Sequence, residues 1–319
     1  MKRRVLSGLG VLVVFSAAAW ALLNRQWLRD SYIVRSTTLQ PASEALRTDI
    51  ELTSKGDFIY KASQAAVEEP NEFNQACRGV AREQSIVLGC YTKQRMYMYN
   101  VKDQRLNGVK QVTAAHELLH AVYERMPESE QSQVNNLLES TAAAITDQRF
   151  KDTMAEYRRN EPGQINNELH SIIGTEIDVI PEQLEQHYQK YLQNRTKIVR
   201  YAKQYEQTFT GLDDEIKGYD AALESLEQQK LTLESSLQVQ QSSIEAQNRR
   251  LEATRASGDI NGYNNAVPVY NNQIREYNLA ISKLKQIVAN YNEIVKKRNT
   301  LATTQNDLAK QLDSNYQPL

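Results

Sequence analysis

His116, Glu117 and His120 stand in the run His116-Glu117-Leu118-Leu119-His120, the pattern H-E-x-x-H. Residues four apart on an α-helix share one face, so both imidazoles can reach the same Zn2+. Glu117 lies beside them, where it can take a proton from a water that the metal activates. Zinc lowers the pKa of such a water to about 7. The chain of 319 residues has only four histidines. Shuffling would place two of them in this arrangement in fewer than about one chain in a hundred, so the motif is specific here. A metal site with Glu117 as general base is expected, in preference to an ordinary buried helix that happens to hold two histidines.

The flanking pattern predicts the elements that must position these groups. Residues 112–126 read as one helix, with Thr113 as N-cap and Pro127 just past its end. Its other positions, Val112, Ala115, Leu118, Leu119 and Val122, are apolar, as a helix at the centre of a domain requires. Ahead of it, residues 57–63, 85–91 and 95–101 read as strands. The last alternates Met96 and Met98 with Tyr97 and Tyr99, which predicts one buried face. Residues 39–52 read as a short helix starting near Pro41. Beyond the motif, residues 128–160 read as helix in two pieces around Asp147, and Glu161-Pro162-Gly163 ends it. Residues 164–175 are helical again, interrupted by Gly174.

With strand, glycine-containing turn and motif helix in that order, residues 88–125 (LGCYTKQRMYMYNVKDQRLNGVKQVTAAHELLHAVYER) resemble the zincin superfamily of metallopeptidases. The resemblance covers the central part of the chain. It implies an edge strand above a substrate cleft and the motif helix beneath it. Residues 95–101 would be that strand, and an extended peptide would add to its edge. It also implies a third metal ligand. Metzincins continue H-E-x-x-H-x-x-G-x-x-H, whereas Tyr123 and Met126 stand here where Gly and His belong. Gluzincins take a Glu from a later helix, often within an Asn-Glu pair, and Asn167-Glu168 in NNELHSIIGTE (166–176) matches that. The resemblance therefore points to Glu168, with Glu176, two helical turns on, and His170 as rivals. His170 would also suit an oxyanion donor. The family often has Asp four residues after the ligand; Ile172 stands there. His187 reads as a surface helical residue, and Tyr123 as a packing residue whose other role would be oxyanion stabilisation.

The C-terminal part has a different period. Tyr205, Phe209, Leu212, Ile216, Tyr219, Leu223 and Leu226 step by 4 and 3 alternately, and Leu233, Leu237, Ile244 and Leu251 continue the register. Lys230, Gln240 and Gln247 interrupt it. A second seam runs Val267, Tyr270, Ile274, Tyr277, Ile281, Leu284, Val288, Tyr291, Val295. A sustained 3.5 repeat marks a coiled coil, and the turn formers of residues 257–265 between the seams predict an antiparallel hairpin. An intramolecular hairpin satisfies both seams; a protein partner or a second copy is the other use of such a surface.

At the N-terminus, Lys2, Arg3 and Arg4 precede 19 uncharged residues, 5–23, with Trp20 and Trp27 at the far end. That length suits a membrane-spanning helix with the N-terminus inside and the bulk outside. A cleaved signal with Ala17-Ala18-Ala19 as its site is the alternative. Cys77 and Cys90, 13 positions apart, suit a disulfide in an exported chain; two free thiols or a metal pair are the other readings.

Composition sets the bounds. Lys+Arg is 38 against Asp+Glu 39, so nothing global favours nucleic acid. Only 12 Gly and 7 Pro argue for long helices and against a many-turned all-β chain. The expected fold is α+β: an anchor over 1–28, a zincin-like domain with a small sheet and the motif helix over 29–195, and a long antiparallel coiled-coil hairpin over 196–319. The expected function is a membrane-anchored extracytoplasmic zinc peptidase acting on a protein or peptide substrate. Its ligands would be His116, His120 and Glu168, and Glu117 its general base. The alternatives are a cell-wall peptide hydrolase and an envelope scaffold or regulator working through its coiled coil. Against the scaffold stands Glu117, which a structural zinc site does not need.

Overall fold

A computed structural model describes residues 16–78 and 87–315. It is mostly helical, with one small three-stranded sheet. The chain divides into two compact units, one running to Thr208 and taking in the C-terminal residues from Leu308, the other Phe209–Asp307.

The first unit begins with α1 (Arg25–Ser36), α2 (Pro41–Asp49), α3 (Ser54–Ala62), β1 (Ala66–Glu68) and α4 (Pro70–Ala76). The hairpin β2 (Gly89–Thr92) and β3 (Arg95–Tyr99) follows. Then come α5 (Val109–Arg125), α6 (Glu128–Ala144), α7 (Gln148–Asn160), α8 (Ile165–Glu176) and α9 (Glu182–Tyr188). The motif helix α5 is buried nearly all round: Ala114, Ala115, Leu118, Leu119, Ala121 and Val122 lie in the main core. Met96 and Met98 of β3 join that core, as their alternation predicted. The break at Asp147 is an N-cap, its carboxylate accepting from the Phe150 N–H at 2.8 Å.

Four expectations change. Residues 57–63 are not a strand but most of α3. Thr53 caps that helix by accepting from the Gly56 N–H, and Gly56, Ile59 and Tyr60 are buried at helical spacing. The motif helix starts three residues early, after Gly108 in the left-handed region, and Thr113 lies inside it with its hydroxyl donating to the Val109 carbonyl at 2.9 Å. Gly174 does not interrupt α8: a Cβ there would come within 2.4 Å of Leu119 Cδ1, so glycine lets α8 lie close on α5. Finally, Arg95–Tyr99 is the central strand. The sheet order is β1-β3-β2, with β1 parallel and β2 antiparallel to β3, so Gly89–Thr92 is the edge. β1 has three residues and no readable period. The β2–β3 turn is Lys93-Gln94, both at positive φ (51° and 60°), as a two-residue hairpin requires.

The single-pass membrane anchor is also corrected. Among the described residues no helix is long and apolar enough to cross a membrane. Residues 1–15, including the basic start of that stretch, lie outside the described residues. The helical residues 16–23 end in a turn at Asn24, and α1 beyond them is polar. Its Asp30 is 2% exposed and receives two hydrogen bonds from Arg125 of α5, at 2.9 and 3.2 Å, which ties α1 to the domain.

Of the three cysteine readings, the disulfide is the one formed: Cys77 is bonded to Cys90, with the Cα atoms 5.9 Å apart. It fastens the end of α4 to the edge strand β2.

The second unit is made from the greater part of α10 (Arg195–Ala256) and of α11 (Ile260–Leu312). Ile216, Leu237, Leu251 and Ile287 are buried there, and Arg298 pairs with Asp220 at 3.0 Å across the two helices. The turn is shorter than its composition suggested, residues 257–259, so Pro268 falls inside α11. The seam also slips: Ile287 is buried while Val288 is 39% exposed. A straight helix of 3.6 residues per turn drifts off a strict 3.5 repeat.

Candidate metal centre

His116 and His120, one turn apart on α5, bring their ring centroids to 4.7 Å. The first turn of α8 presents Glu168 to them. Its Oε2 lies 3.8 Å from His116 Nε2 and its Oε1 3.7 Å from His120 Nε2. These distances are too long for hydrogen bonds. They are close to the ~3.4 Å that separates two ligands each about 2.1 Å from one tetrahedral ion. One ligand atom from each residue lies within 4.8 Å of the others, so the three could hold a metal ion.

The surroundings fit such an ion. Glu168 and Glu117 are 8% and 5% exposed, and among the described residues the buried Oε2 of each has no hydrogen-bond partner. Two buried carboxylate oxygens with nothing to bond are costly unless a cation meets them. His120 Nδ1 lies 3.0 Å from Asn167 Oδ1 and 3.2 Å from Ser171 Oγ. Ser171 gives its own proton to the Asn167 carbonyl, so both oxygens can accept from Nδ1–H. Nδ1 then carries the ring proton, and the Nε2 lone pair faces Glu168, the tautomer a ligand needs.

The electrostatics follow from burial. His116 is held well below the usual imidazole range by desolvation and then by His120. Burial opposes charge on His120 too, but Glu168 and Glu117 outweigh it and raise its pKa. Burial, with Glu168 adding to it, pushes Glu117 up to about 8. Its position depends on Gly89 of the edge strand: a Cβ there would lie 2.5 Å from Glu117 Oε1. Glycine lets strand and carboxylate approach each other.

These groups open into a cavity of about 1650 Å3, bordered by β2 on one side and by α7 and the far end of α8 on another. Glu176 lines this cavity but stands apart from the three-residue cluster. His170 turns away: its Nε2 lies 2.9 Å from His187 Nε2. His187 is therefore no surface residue but 4% exposed, because the face of short α9 that carries it also buries Leu184 and Tyr188. Tyr123 packs beside His170 and donates to Asn135 Oδ1 at 3.0 Å.

Four residues at this site were not anticipated. Asn167 and Ser171 flank Glu168 on α8 and are four apart, so helical spacing puts them on one face, but it does not pair them with His120 on another helix. Gly89 gave no signal. Tyr157, on α7, lines the cavity with its hydroxyl against the Glu168 carboxylate. Burial and the carboxylates Glu168 and Glu117 push its phenol up, so it stays a proton donor.

Compared with known proteins, the chain matches no family model, no curated protein and no solved structure.

Proposed function

We propose that the protein is a zinc-dependent peptidase of gluzincin-like type. The observation that carries this is the meeting of His116, His120 and Glu168 with the buried, unpartnered Glu117 in one open cavity beside an edge strand. A zinc ion on those three ligands would supply a Lewis acid that polarises the scissile carbonyl and makes hydroxide available near neutral pH.

The chain's own residues do the rest. Glu117 takes the proton from the attacking water as the new bond to the carbonyl carbon forms. It returns that proton to the amide nitrogen as the C–N bond breaks. Tyr157 donates its O–H to the oxygen on which negative charge develops. The edge strand β2 replaces β3 as the place where an extended substrate pairs, backbone to backbone. Among the described residues β2 pairs only with β3, and the disulfide at Cys90 anchors it.

The test is a digest of casein and of a mixed peptide pool by the full chain, with zinc, with a zinc chelator, and with Glu117→Gln. Zinc-dependent cleavage is expected, reduced about 10²- to 10⁴-fold by Glu117→Gln with metal content unchanged. Cleavage that survives both the chelator and Glu117→Gln would show a contaminant, and no cleavage of either substrate by the zinc-loaded chain would refute the proposal.

A further inference from the structure

The cavity is strongly acidic well beyond the metal cluster. Apart from Glu117 and Glu168 it is lined by seven carboxylates and only three cationic side chains, Lys93, Arg149 and Lys203. Two of those three are engaged: Arg149 pairs with Glu206 at 2.8 Å and Lys203 with Asp178 at 2.6 Å. A divalent ion would offset Glu117 and Glu168, and the remaining lining would still be negative. A cleft lined by one sign of charge concentrates ligands of the opposite sign.

Glu176 is the carboxylate best placed to use that field. It ends α8, eight residues after Glu168, so it lies about 12 Å further along the same helix at 1.5 Å per residue. Both residues face the one cavity. Glu176 is half-buried and makes no hydrogen bond or ion pair among the described residues. The cation whose charge acts on it, Arg149, is already paired with Glu206. A half-buried carboxylate lacking a partner is stabilised by any cation that reaches it. A lysine or arginine side chain extends roughly 6 Å, and an extended chain advances about 3.3 Å per residue. A residue within about two positions of the scissile bond could therefore span from the metal cluster to Glu176.

We propose that this cleft selects substrates carrying a lysine or arginine within two residues of the scissile bond, and that Glu176 is the specificity residue that receives the charge. This rests on the peptidase reading above and adds the substrate class to it.

Binding separates the two ideas, because it needs no turnover. The zinc-loaded full chain carrying Glu117→Gln is titrated with labelled, otherwise neutral peptides in which a single guest position is Lys, Gln or Glu, moved along the sequence. Fluorescence anisotropy reads Kd. At one or two guest positions Lys is expected to bind about tenfold tighter than Gln, the size of a charged hydrogen bond, with Glu weakest. In Glu117→Gln/Glu176→Gln the gap between Lys and Gln should close, while the Kd of the Gln peptide holds. Equal Kd values for the three guests at every position would overturn the inference and leave the peptidase reading standing; this comparison needs no change at position 176. A gap that persists in Glu176→Gln would overturn the assignment to Glu176. No binding of any peptide, together with no cleavage by the unsubstituted chain, would overturn both.

Discussion

At the scale of single residues, the site consists of three candidate ligands, His116, His120 and Glu168, and the side chains that support them. The two histidines and Glu117 were legible because the motif helix imposes their spacing. Glu168 was reachable only through a family resemblance, and the geometry now places its carboxylate against both imidazoles. What orients His120 is the pair Asn167 and Ser171, while Ile172, standing where the family often has Asp, is buried in the core. Removing such outer-shell partners typically weakens a metal site 10- to 100-fold. Asn167→Ala with Ser171→Ala should therefore raise the zinc Kd by about that factor, read by competition with a chromophoric chelator. Far-UV circular dichroism should be unchanged, since α8 keeps its packing on α5. An unaltered Kd would mean that these contacts do not set the tautomer.

At the scale of elements, the sequence was informative where periodicity ran long and silent where elements were short. The motif helix, the split at Asp147 and the methionine alternation of β3 all came from sustained patterns. The three-residue β1 carried no such pattern, and without it β3 was mistaken for an edge. Residues 57–63 mix apolar and polar positions in a way that fits either period over so short a run; the Thr53 cap and burial on one helical face decided for α3. The disulfide has an elemental role as well, since it joins the C-terminus of α4 to the strand that borders the cavity. Closing a loop of this size in the unfolded chain contributes about 3 kcal/mol. Cys77→Ala/Cys90→Ala should lower the unfolding free energy by roughly that amount in urea titration, and an unchanged midpoint would show that the bond constrains little.

At the scale of the whole molecule, two compact units coexist, and only one carries the cluster. The second unit resembles the predicted hairpin in its two long helices, but its seam follows 3.6-residue geometry in places, as Ile287 and Val288 show. Global stability should respond to pH through the buried pair His170 and His187. Burial, reinforced by Lys190, lowers His187 to about 4. An unfolded histidine titrates near 6.5. The unfolded chain therefore takes up a proton first as pH falls, so stability is constant above about 6.5 and declines from there down to about 4. From this residue alone the folded state should be about 2 kcal/mol less stable at pH 5 than at pH 7. Denaturant melts at the two pH values, with a chelator present so that metal binding does not contribute, should show that loss. His187→Gln should reduce it, and an identical loss in the variant would assign it to other groups.

The central claim is that His116, His120 and Glu168 hold one zinc ion, and elemental mass spectrometry of the purified full chain tests it most directly. One zinc per chain is predicted, retained in Glu117→Gln and lost in His116→Ala, in His120→Ala and in Glu168→Ala, with all four variants folded by circular dichroism. A folded chain that takes up no zinc even when it is supplied, or that keeps its zinc after both His116 and His120 are replaced, would contradict it.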